Sequence, residues 1–460
     1  MSKEQGVSLP LRLDVKALAG NPRSEGLRRL RRDALEILGR ALHAVDPERA
    51  VFDALRKEDR SLVVAGHRFP LGRDSSIVLL AAGKAAGSMT RGALRIVRPD
   101  YGLIAWDRAR PIHSTTGLTS VQASHPLPDR ESLAAGKRAL RMVEGLEEGD
   151  ALLVLLSGGA SAMLEATAVP LRDLRGAYAR LLRSGLYIRD VNEVRKGLSQ
   201  LKGGRLAEEA AARGALVISL VVSDIIGNPM EDLGSGPTAP TSSRGGRAAA
   251  ILKRSGLWEA MAESVRRTLR SPERRRWTDR SGRVHAFIVA DNEKACRAAK
   301  AEAMAFGYQA RIFTTSFQGE ARQAGPRFVQ AAFMSNRPLK KRAAIAGGET
   351  TVTVRGRGRG GRNGELALSI VERWHALPAV LVSCGTDGID GTGDAAGAIV
   401  DGESFSRARR LKLEWRRFLG RNDSHSFFQA LDDLLVTGPT GTNVGDLQIL
   451  LFDPSAEPRP

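Results

Sequence analysis

The sequence has few of the residues from which disulfide frameworks, metal sites and base-stacking surfaces are built. Its two cysteines, Cys296 and Cys384, lie far apart and without CxxC spacing, which excludes a disulfide framework and a zinc site made by cysteine alone. The seven histidines show no metal-ligand spacing, and aromatic residues make up 5% of the chain. Proteins that bind single-stranded nucleic acid need aromatic stacking platforms, so this composition disfavours that class.

Long apolar segments are also missing. No stretch approaches about 18 apolar residues without a polar break, which is the length that a bilayer-spanning helix needs. The first residues, MSKEQGVSLPLRLDVK, lack the apolar core of a signal peptide. We therefore expect no membrane-spanning helix and a location in the cytoplasm, where cysteines stay reduced.

What the chain has in excess is positive charge. Lys and Arg number 70 against 51 Asp and Glu, a net charge of +19, and such a field attracts nucleic acid, an anionic membrane or a small anionic substrate. The basic residues cluster at 28–32, 266–276 and 407–421, with the interleaved Leu, Trp and acidic residues that are typical of solvated helix faces. No helix-turn-helix, zinc-finger or RNA-binding signature is present. Binding of a polyanion is therefore an alternative hypothesis rather than the main one.

The fold class is predicted by apolar runs that lead into glycine-rich loops. Three such runs lie at 77–82, 151–156 and 215–222, each followed by a loop and a helix-like segment. Continuous apolar strands that alternate with helices predict an α/β fold with a Rossmann-like, doubly wound, mainly parallel sheet. Ligands of such sheets bind at the carboxyl ends of the strands, where all three loops lie.

Two domains are predicted, because 460 residues exceed the size at which a single core usually stops growing. We place an N-terminal Rossmann-like domain at 1–245, a basic junction at 246–285 and a smaller α/β domain at 286–460. The second domain is predicted to contain strands near 287–290, 309–314, 342–346, 352–354 and 379–383. The sequence leaves open whether a last strand at 447–452 returns to the first domain.

Two loops of the first domain carry candidate anion-binding residues. Ser157, Gly158, Gly159 and Ser161 form a strand-to-helix loop in which glycines let backbone N–H groups approach a phosphate or carboxylate. Lys84 follows a buried strand, among small residues, where it can neutralise an anion as a point charge. The GxxxxGK[ST] spacing of a Walker A loop is absent. The alternatives are an ordinary tight turn and a lysine exposed at a strand end.

The second domain carries a segment rich in glycine and arginine. Residues 355–364, RGRGRGGRNG, satisfy G-x-G-x-x-G formally, but the arginines and the lack of an acidic residue about 20 positions later disfavour a dinucleotide site. Arg362 is predicted to begin a helix, where its guanidinium can clamp a carboxylate or phosphate. Glu349 lies between two predicted strands just before this segment.

Acidic candidates follow other strands. Asp387 and Asp390 lie among glycines after the strand at 379–383, and Asp224 follows the strand at 215–222. Phosphoryl transfer needs carboxylates that hold Mg²⁺ and that receive the proton of the attacking hydroxyl. A structural Asx-turn is the alternative. Asn443 lies in a glycine- and hydroxyl-rich loop that by itself indicates only a turn.

Taken together, ten segments between residues 80 and 445 resemble the class II glycerate kinases, whose C-terminal part is known as the MOFRL domain. The segments occur in the order of the family: AAGKAAGSM, SHPLPDRESLAAG, LLSGGASAML, NEVRKGLSQLKGGRLA, VVSDIIGNP, SGPT, GGETTV, GRGGRN, GTDGIDGTGDAAGAIVDG and LLVTGPTGTNV. Each segment is weak evidence alone, whereas the ordered set is specific.

The resemblance implies phosphorylation of D-glycerate to 2-phosphoglycerate with ATP and Mg²⁺, in a cleft between two α/β domains, by a homodimer. The functional positions of the family match Lys84, Glu349, Arg362, Asp387 and Asn443. Asp387 is then expected to act as general base or to orient the hydroxyl, and Lys84 and Arg362 to neutralise anionic charge. Glu349, Asp224 and Asp390 are candidates for binding Mg²⁺ or substrate hydroxyls.

Departures from the family pattern leave alternatives open. Gly197 stands where a histidine is usual, Asn228 replaces an aspartate, Gly364 a glutamine, and Gly445 an asparagine or similar polar residue. A hydroxypyruvate reductase is the main enzymatic alternative, although it needs a dinucleotide site. A basic polyanion-binding relative without kinase activity is the alternative from a different class.

Overall fold

The computed structural model describes residues 13–107, 117–239, 247–270, 279, 281–332 and 340–456. The chain forms two compact units: one comprises Pro47–Val289, and the other combines Met1–Asp46 with Ala290–Pro460. We call them the central unit and the terminal unit.

The bounds of the secondary-structure elements follow in chain order. The strands are β1 (Leu55–Glu58), β2 (Ser61–Val64), β3 (His67–Pro70), β4 (Ile77–Ala82), β5 (Tyr101–Asp107), β6 (Thr119–Ala123), β7 (Ala151–Leu156), β8 (Leu216–Val222), β9 (Val284–Ala290), β10 (Gln309–Phe317), β11 (Arg342–Gly348), β12 (Ala379–Gly385), β13 (Gly397–Asp401) and β14 (Asp446–Phe452). The helices are α1 (Val15–Gly20), α2 (Glu25–Ala44), α3 (Pro47–Ala54), α4 (Ala86–Leu94), α5 (Arg130–Glu144), α6 (Ala160–Met163), α7 (Leu171–Arg183), α8 (Ile188–Leu198), α9 (Arg205–Ala212), α10 (Arg247–Arg254), α11 (Glu263–Arg270), α12 (Asn292–Ala305), α13 (Ala321–Ala332), α14 (Arg362–Leu368), α15 (Ser404–Arg410), α16 (Trp415–Gly420) and α17 (Ser424–Ala430).

The central unit is built on a sheet with the strand order β6-β5-β4-β7-β8-β9. The pairs from β6 to β8 are parallel, and every residue of β4 and β7 is buried. Helices pack on these strands as the alternating pattern predicts, with α5 on β5 and β6 and α9 on β8. The prediction of a Rossmann-like, mainly parallel sheet is confirmed, and the loops after β4, β7 and β8 lie at its carboxyl edge. The strands β1, β2 and β3 form a separate antiparallel sheet.

The terminal unit has a mixed sheet with the order β10-β11-β14-β12-β13. Here β10 and β11 are parallel, whereas β14 runs antiparallel to both of its neighbours. Alternate residues of a strand point to opposite faces: Ile345 and Ile449 belong to a core with α2 and α12, and Ala344 and Leu450 belong to a core with α13 and α14. The sheet is therefore covered on both faces.

The first residues of the chain differ from the sequence prediction. Residues 13–46, predicted in the N-terminal domain, belong to the terminal unit. The apolar face of α2 packs on α12, β12 and β14, and its buried Arg31 pairs with Asp401 at 2.5 Å and Asp433 at 2.7 Å. These contacts join α2 to segments more than about 250 positions later in the chain, which local periodicity does not reveal.

The predicted junction at 246–285 is also wrong for its described part. Helices α10 and α11 pack on α8 within the central unit, and their buried Ile251 and Val265 share its core. Residues 246, 271–278 and 280 of the junction lie outside the described residues.

Two predicted strands have different places in the structure. The strand near 287–290 begins no second series, because β9 lies beside β8 in the central sheet. Residues 352–354 form no strand: the Thr353 N–H donates to the Glu320 carboxylate and its carbonyl accepts from Asn422, so side chains replace a neighbouring strand as partners. The last strand, β14, lies in the middle of the terminal sheet. None of the described helices combines the length and the hydropathy that a membrane span requires.

Candidate active site

The loops that follow β4 and β7 are bonded to each other. The Lys84 N–H donates to the Gly158 carbonyl at 2.9 Å, and the Ala85 N–H donates to Ser157 Oγ at 2.9 Å. At Gly83 (φ +119°) a Cβ would lie 2.4 Å from Ser157 Oγ, so this position requires glycine both for its backbone conformation and for the close approach. Hydrogen bonds therefore hold together the two loops that the sequence predicts to bind an anion.

The side chain of Lys84 lies beside Gly159 and His125. A Cβ on Gly159 would be 3.4 Å from Lys84 Cγ and 3.2 Å from His125 Cδ2. Desolvation of the imidazole, and then the charge of Lys84, lower the pKa of His125 to about 4, although the residue as a whole is exposed. The ring is thus neutral at physiological pH, and Lys84 supplies the positive charge. Within the described part of the chain, the Lys84 ammonium has no hydrogen bond or ion pair.

Asp224 and Ser161 also lie at this loop. A Cβ on Gly158 would be 2.1 Å from Asp224 Oδ2, so the carboxylate lies directly against the loop backbone. Ser161 Oγ is 2.7 Å from Ser235 Oγ, which donates to Asn192 Oδ1 of α8 at 3.1 Å. We call Lys84, His125, Ser157 to Ser161 and Asp224 the parallel-sheet cluster.

In the terminal unit Arg362 lies between two carboxylates. It begins α14 as predicted; its Nε donates to Asp446 Oδ2 at 2.6 Å, and its Nη1 is 3.0 Å from Glu349 Oε1. Burial acts against the cation, but the hydrogen bond and charge of Asp446, together with Glu349, raise the pKa of Arg362 above its ordinary value. The guanidinium is thus a permanent cation held in one orientation.

Asp390 binds the first turn of the same helix. Its Oδ1 accepts from the Asn363 N–H at 2.9 Å and its Oδ2 from the Gly364 N–H at 2.8 Å. Complete burial raises the pKa of Asp390 to about 6, even though these N–H donors act in the opposite direction. The carboxylate therefore satisfies backbone groups that a helix start leaves without partners.

Asp387 and Asn443 lie on adjoining loops. The Asp387 carboxylate accepts from the Ile389 N–H at 3.1 Å, and its backbone carbonyl accepts from the Thr440 N–H at 3.4 Å. Asn443 Oδ1 accepts from the Gly445 N–H at 3.3 Å. Asp387 is partly exposed, so its carboxylate can contact a ligand. We call Glu349, Arg362, Asp387, Asp390, Asn443 and Asp446 the mixed-sheet cluster.

The structure adds residues that sequence reasoning missed. Asp446 anchors Arg362, and Asn363 donates to Asp446 Oδ1 at 3.0 Å. The available signal was an acidic residue that opens a mainly apolar strand, DLQILLF. His125, one of the histidines without metal-ligand spacing, lies beside Lys84. All predicted site residues belong to one of the two clusters, the parallel-sheet cluster in the central unit and the mixed-sheet cluster in the terminal unit.

The two metal candidates differ in their fit to Mg²⁺. Among the described residues no group of three or more His, Cys, Asp or Glu side chains is arranged to hold a metal ion. Mg²⁺ commonly takes only one or two protein carboxylates and completes its shell with water and substrate phosphates. Asp224, against the glycine loop, fits that mode. Asp390 fits less well, since both of its oxygens accept backbone N–H groups.

The fold and the clusters define an α/β protein of two units, each of which carries charged side chains beside glycine-rich loops. Comparison with known proteins identifies its relatives. A family model described as a domain of unknown function, DUF4147, matches residues 33–270, and the MOFRL family model matches residues 342–446. A glycerate 2-kinase of Pyrococcus horikoshii is 35% identical, with 92% of this chain and 97% of that protein covered. A D-glycerate 2-kinase of Thermotoga maritima is 37% identical, with 92% and 98% covered.

Solved structures agree with the sequence comparison. The crystal structure of a glycerate kinase from Thermotoga maritima matches with a TM-score of 0.80 at 34% identity, and the match covers 91% of this chain and 98% of that one. The chain belongs to the glycerate 2-kinase family with a MOFRL domain, as its motifs predict. A relative from Agrobacterium vitis carries the name putative hydroxypyruvate reductase, at 35% identity over 88% of this chain and 93% of that protein.

Proposed function

We propose that this protein is a kinase that transfers the γ-phosphoryl group of ATP to the 2-hydroxyl of D-glycerate. The observation that carries the proposal is the similarity, over 92% of the chain, to two proteins named glycerate 2-kinases. The anion-binding chemistry of the two clusters supports it independently, because both substrates and both products of this reaction are anions.

The parallel-sheet cluster is suited to hold anionic oxygens. Lys84 brings a positive charge without an acidic partner among the described residues, and Gly158 and Gly159 expose loop backbone beside it. The neutral His125 adds a polar group without a competing negative charge. Phosphoryl transfer depends mainly on positioning and on charge stabilisation, and this cluster offers both.

The mixed-sheet cluster supplies a carboxylate and an oriented cation. Asp387 is the candidate to orient the attacking hydroxyl and to accept its proton. Arg362 is held by Asp446 and Glu349 in a fixed position, from which its remaining donors can stabilise the charge of the transferring phosphoryl group.

Mg²⁺ would be held by Asp224 together with phosphate oxygens of the nucleotide. Such an ion neutralises phosphate charge during transfer. The residues of the chain contribute the other functions: Lys84 and the loop bind anionic oxygens, and Asp387 holds the proton of the hydroxyl.

The test is a coupled assay of ADP release by the purified protein with D-glycerate, ATP and Mg²⁺. We expect ADP release that depends on glycerate, and phosphorus NMR of the product should show the phosphate on the 2-position. Phosphate on the 3-position would contradict the proposed regiochemistry, and the absence of glycerate-dependent ADP release would contradict the kinase.

A parallel assay of NAD(P)H oxidation with hydroxypyruvate tests the reductase alternative. The G-x-G-x-x-G match at 356–361 follows no strand directly; a Cβ on Gly356 would lie 2.3 Å from the Arg421 carbonyl oxygen, so the segment packs on its own unit. We therefore expect no consumption of NAD(P)H. Consumption without kinase activity would assign the reductase function instead.

A further inference from the structure

Arg195, on α8 of the central unit, is a buried arginine without an acidic partner. The residue is 8% exposed. The other buried cationic side chains of the described residues each pair with carboxylates: Arg31 with Asp401 and Asp433, Lys196 with Glu193 and Asp232, and Lys202 with Glu165. Within the described ranges, Arg195 has neither an ion pair nor a side-chain hydrogen bond, and its Nε is completely buried.

An unpaired buried cation is unfavourable, because burial removes its hydration. Burial lowers the pKa of Arg195, and the nearby Tyr178 and Glu165 oppose this shift only partly. The guanidinium lies over the Tyr178 ring, 5.1 Å from the ring centre, but the Tyr178 hydroxyl is already donated to Glu165. A contact with an aromatic face offsets part of the lost hydration and leaves the N–H donors unused. The arrangement is explained if an anionic ligand completes it.

The position of α8 brings Arg195 to the parallel-sheet cluster. Asn192 of the same helix is joined through Ser235 to Ser161 of the loop. Arg195 follows Asn192 by three positions, so both side chains lie on the same side of the helix. The charge of Arg195 acts on His125 in the same direction as that of Lys84. Arg195 therefore lies close to the side chains that flank Gly159.

We propose that Arg195 is the residue that binds the carboxylate of the hydroxy-acid substrate. The inference rests on the proposed function and names the part of the site that recognises the acceptor. A carboxylate is planar and singly charged, and one guanidinium can match it with two parallel hydrogen bonds. The phosphates of a nucleotide are tetrahedral and multiply charged, and they suit the backbone N–H groups and Lys84.

Two substitutions separate charge from geometry, and a third is the matched control. Arg195→Met removes the cation and keeps an apolar chain of similar length over Tyr178. Arg195→Lys keeps the charge and loses the planar fork. Arg189→Met makes the same chemical change on the same helix at an exposed position, 61% accessible and 3.7 Å from Glu231, and it leaves the site untouched.

We expect Arg195→Met to raise the KM for D-glycerate at least tenfold, on the scale of losing a charge-assisted hydrogen-bonded pair (roughly 10- to 100-fold). The KM for ATP should change less than about twofold, since the phosphates are bound elsewhere in the cluster. Arg195→Lys should fall between wild type and Arg195→Met, and Arg189→Met should match wild type. The melting temperature of Arg195→Met should stay equal or rise, because an unpaired buried charge is removed.

Several results would overturn the inference. A rise in the KM for ATP alone would assign the guanidinium to phosphate. An unchanged KM for D-glycerate would show that Arg195 does not contact the carboxylate. A fall in melting temperature with both KM values unchanged would show a purely structural role.

A binding experiment without ATP separates this inference from the proposed function. The shift in melting temperature is measured for wild type and Arg195→Met with D-glycerate, with D-lactate and with uncharged glycerol. We expect both hydroxy acids, but not glycerol, to stabilise wild type, and this effect to disappear in Arg195→Met. If the protein shows this outcome but has no kinase activity, the proposed function is contradicted and the carboxylate site is supported. No stabilisation of wild type by either acid, or equal stabilisation of the variant, would overturn the site.

Discussion

At the scale of single residues, the cations of the two units are held in two different ways. Arg362 has two carboxylate partners, so its position is fixed before any ligand arrives. Lys84 and Arg195 have none among the described residues, so their charges can be satisfied by a ligand. A cation that is already held by carboxylates is suited to stabilise the charge that develops in a transition state. A cation without such partners favours binding of a substrate anion.

This difference leads to a prediction about Lys84 and Asp387. Lys84→Ala removes the charge beside the glycine loop, and Asp387→Asn removes the candidate base while keeping its size. Each should lower turnover by at least ~100-fold, the usual scale for a positioned charge or acid–base group. The measurement is steady-state ADP release over a range of D-glycerate and ATP concentrations.

The two variants should also differ from each other. Lys84→Ala should raise a KM as well, because a binding charge is lost, whereas Asp387→Asn should act mainly on kcat. Lys16→Ala, on the exposed side of α1, is the control for loss of one positive charge and should behave as wild type. Near-normal turnover of both site variants would place the catalytic groups elsewhere.

At the scale of elements, the loop geometry makes Gly158 a sensitive position. Its backbone lies against Asp224, and a Cβ there would be 2.1 Å from Asp224 Oδ2, well inside van der Waals contact. We expect Gly158→Ala to displace the Asp224 carboxylate and to lower kcat/KM for ATP at least tenfold, since a small misplacement of a positioning group has effects of this order. Kinetics at several Mg²⁺ concentrations provide the measurement.

A helical glycine with open surroundings serves as the control for Gly158→Ala. A Cβ on Gly420 in α16 would meet nothing within 4 Å, so Gly420→Ala should keep full activity. If Gly158→Ala is equally active, the carboxylate of Asp224 moves without consequence and is not a magnesium ligand.

The first turn of α14 should make stability depend on pH through Asp390. Its pKa in the folded protein is about 6, above the value of about 3.9 for an unfolded chain. Below pH 4 the group is protonated in both states; between pH 4 and 6 the unfolded chain ionises first, so the free energy of unfolding falls as the pH rises. The contribution lost by pH 7 is on the order of 3 kcal/mol.

The contribution of Asp390 is the difference in the free energy of unfolding between wild type and Asp390→Asn. Urea unfolding of wild type and Asp390→Asn from pH 4 to pH 7 should show the advantage of wild type shrinking as the pH rises. Asp394, whose pKa is lowered chiefly by its hydrogen bond to His425, provides the opposite case: in measurements extended to lower pH, the advantage of wild type over Asp394→Asn should shrink as the pH falls below about 4. A constant difference for Asp390→Asn would mean that the carboxyl does not titrate in this range.

The elements also show what a sequence can and cannot reveal. Strands β4 and β7 and the helix start at Arg362 were predicted correctly, because apolar runs and glycine loops are local signals. The pairing of β14 between β11 and β12, and the anchoring of Arg362 by Asp446, depend on residues about 60 to 110 positions apart. The partner of a charged residue becomes visible only when the strands are assembled, so Arg195 could not be distinguished in the sequence from the paired Lys196.

At the scale of the whole molecule, four hydrophobic clusters of the described residues each lie within one unit. The clusters around Leu80 and around Tyr178 contain only residues of the central unit, and those around Ile345 and Trp374 contain only residues of the terminal unit. The central unit is moreover one continuous stretch of chain, 47–289. A continuous segment with its own sheet and its own cores has the properties of an independently folding domain.

We therefore predict that a fragment of residues 47–289 folds without the rest of the chain. It should show the circular dichroism of an α/β protein and unfold cooperatively in urea, and D-lactate should raise its melting temperature through Arg195.

The matched control is a fragment of residues 1–245, the N-terminal domain as the sequence predicts it. That fragment carries α2 without its partners and lacks β9, α10 and α11, so Leu174 and Tyr178 lose part of their core. We expect it to aggregate or to unfold at lower urea concentration. Equal stability of the two fragments would show that β9, α10 and α11 contribute little, and an unfolded 47–289 fragment would show that the cores of the central unit are insufficient alone.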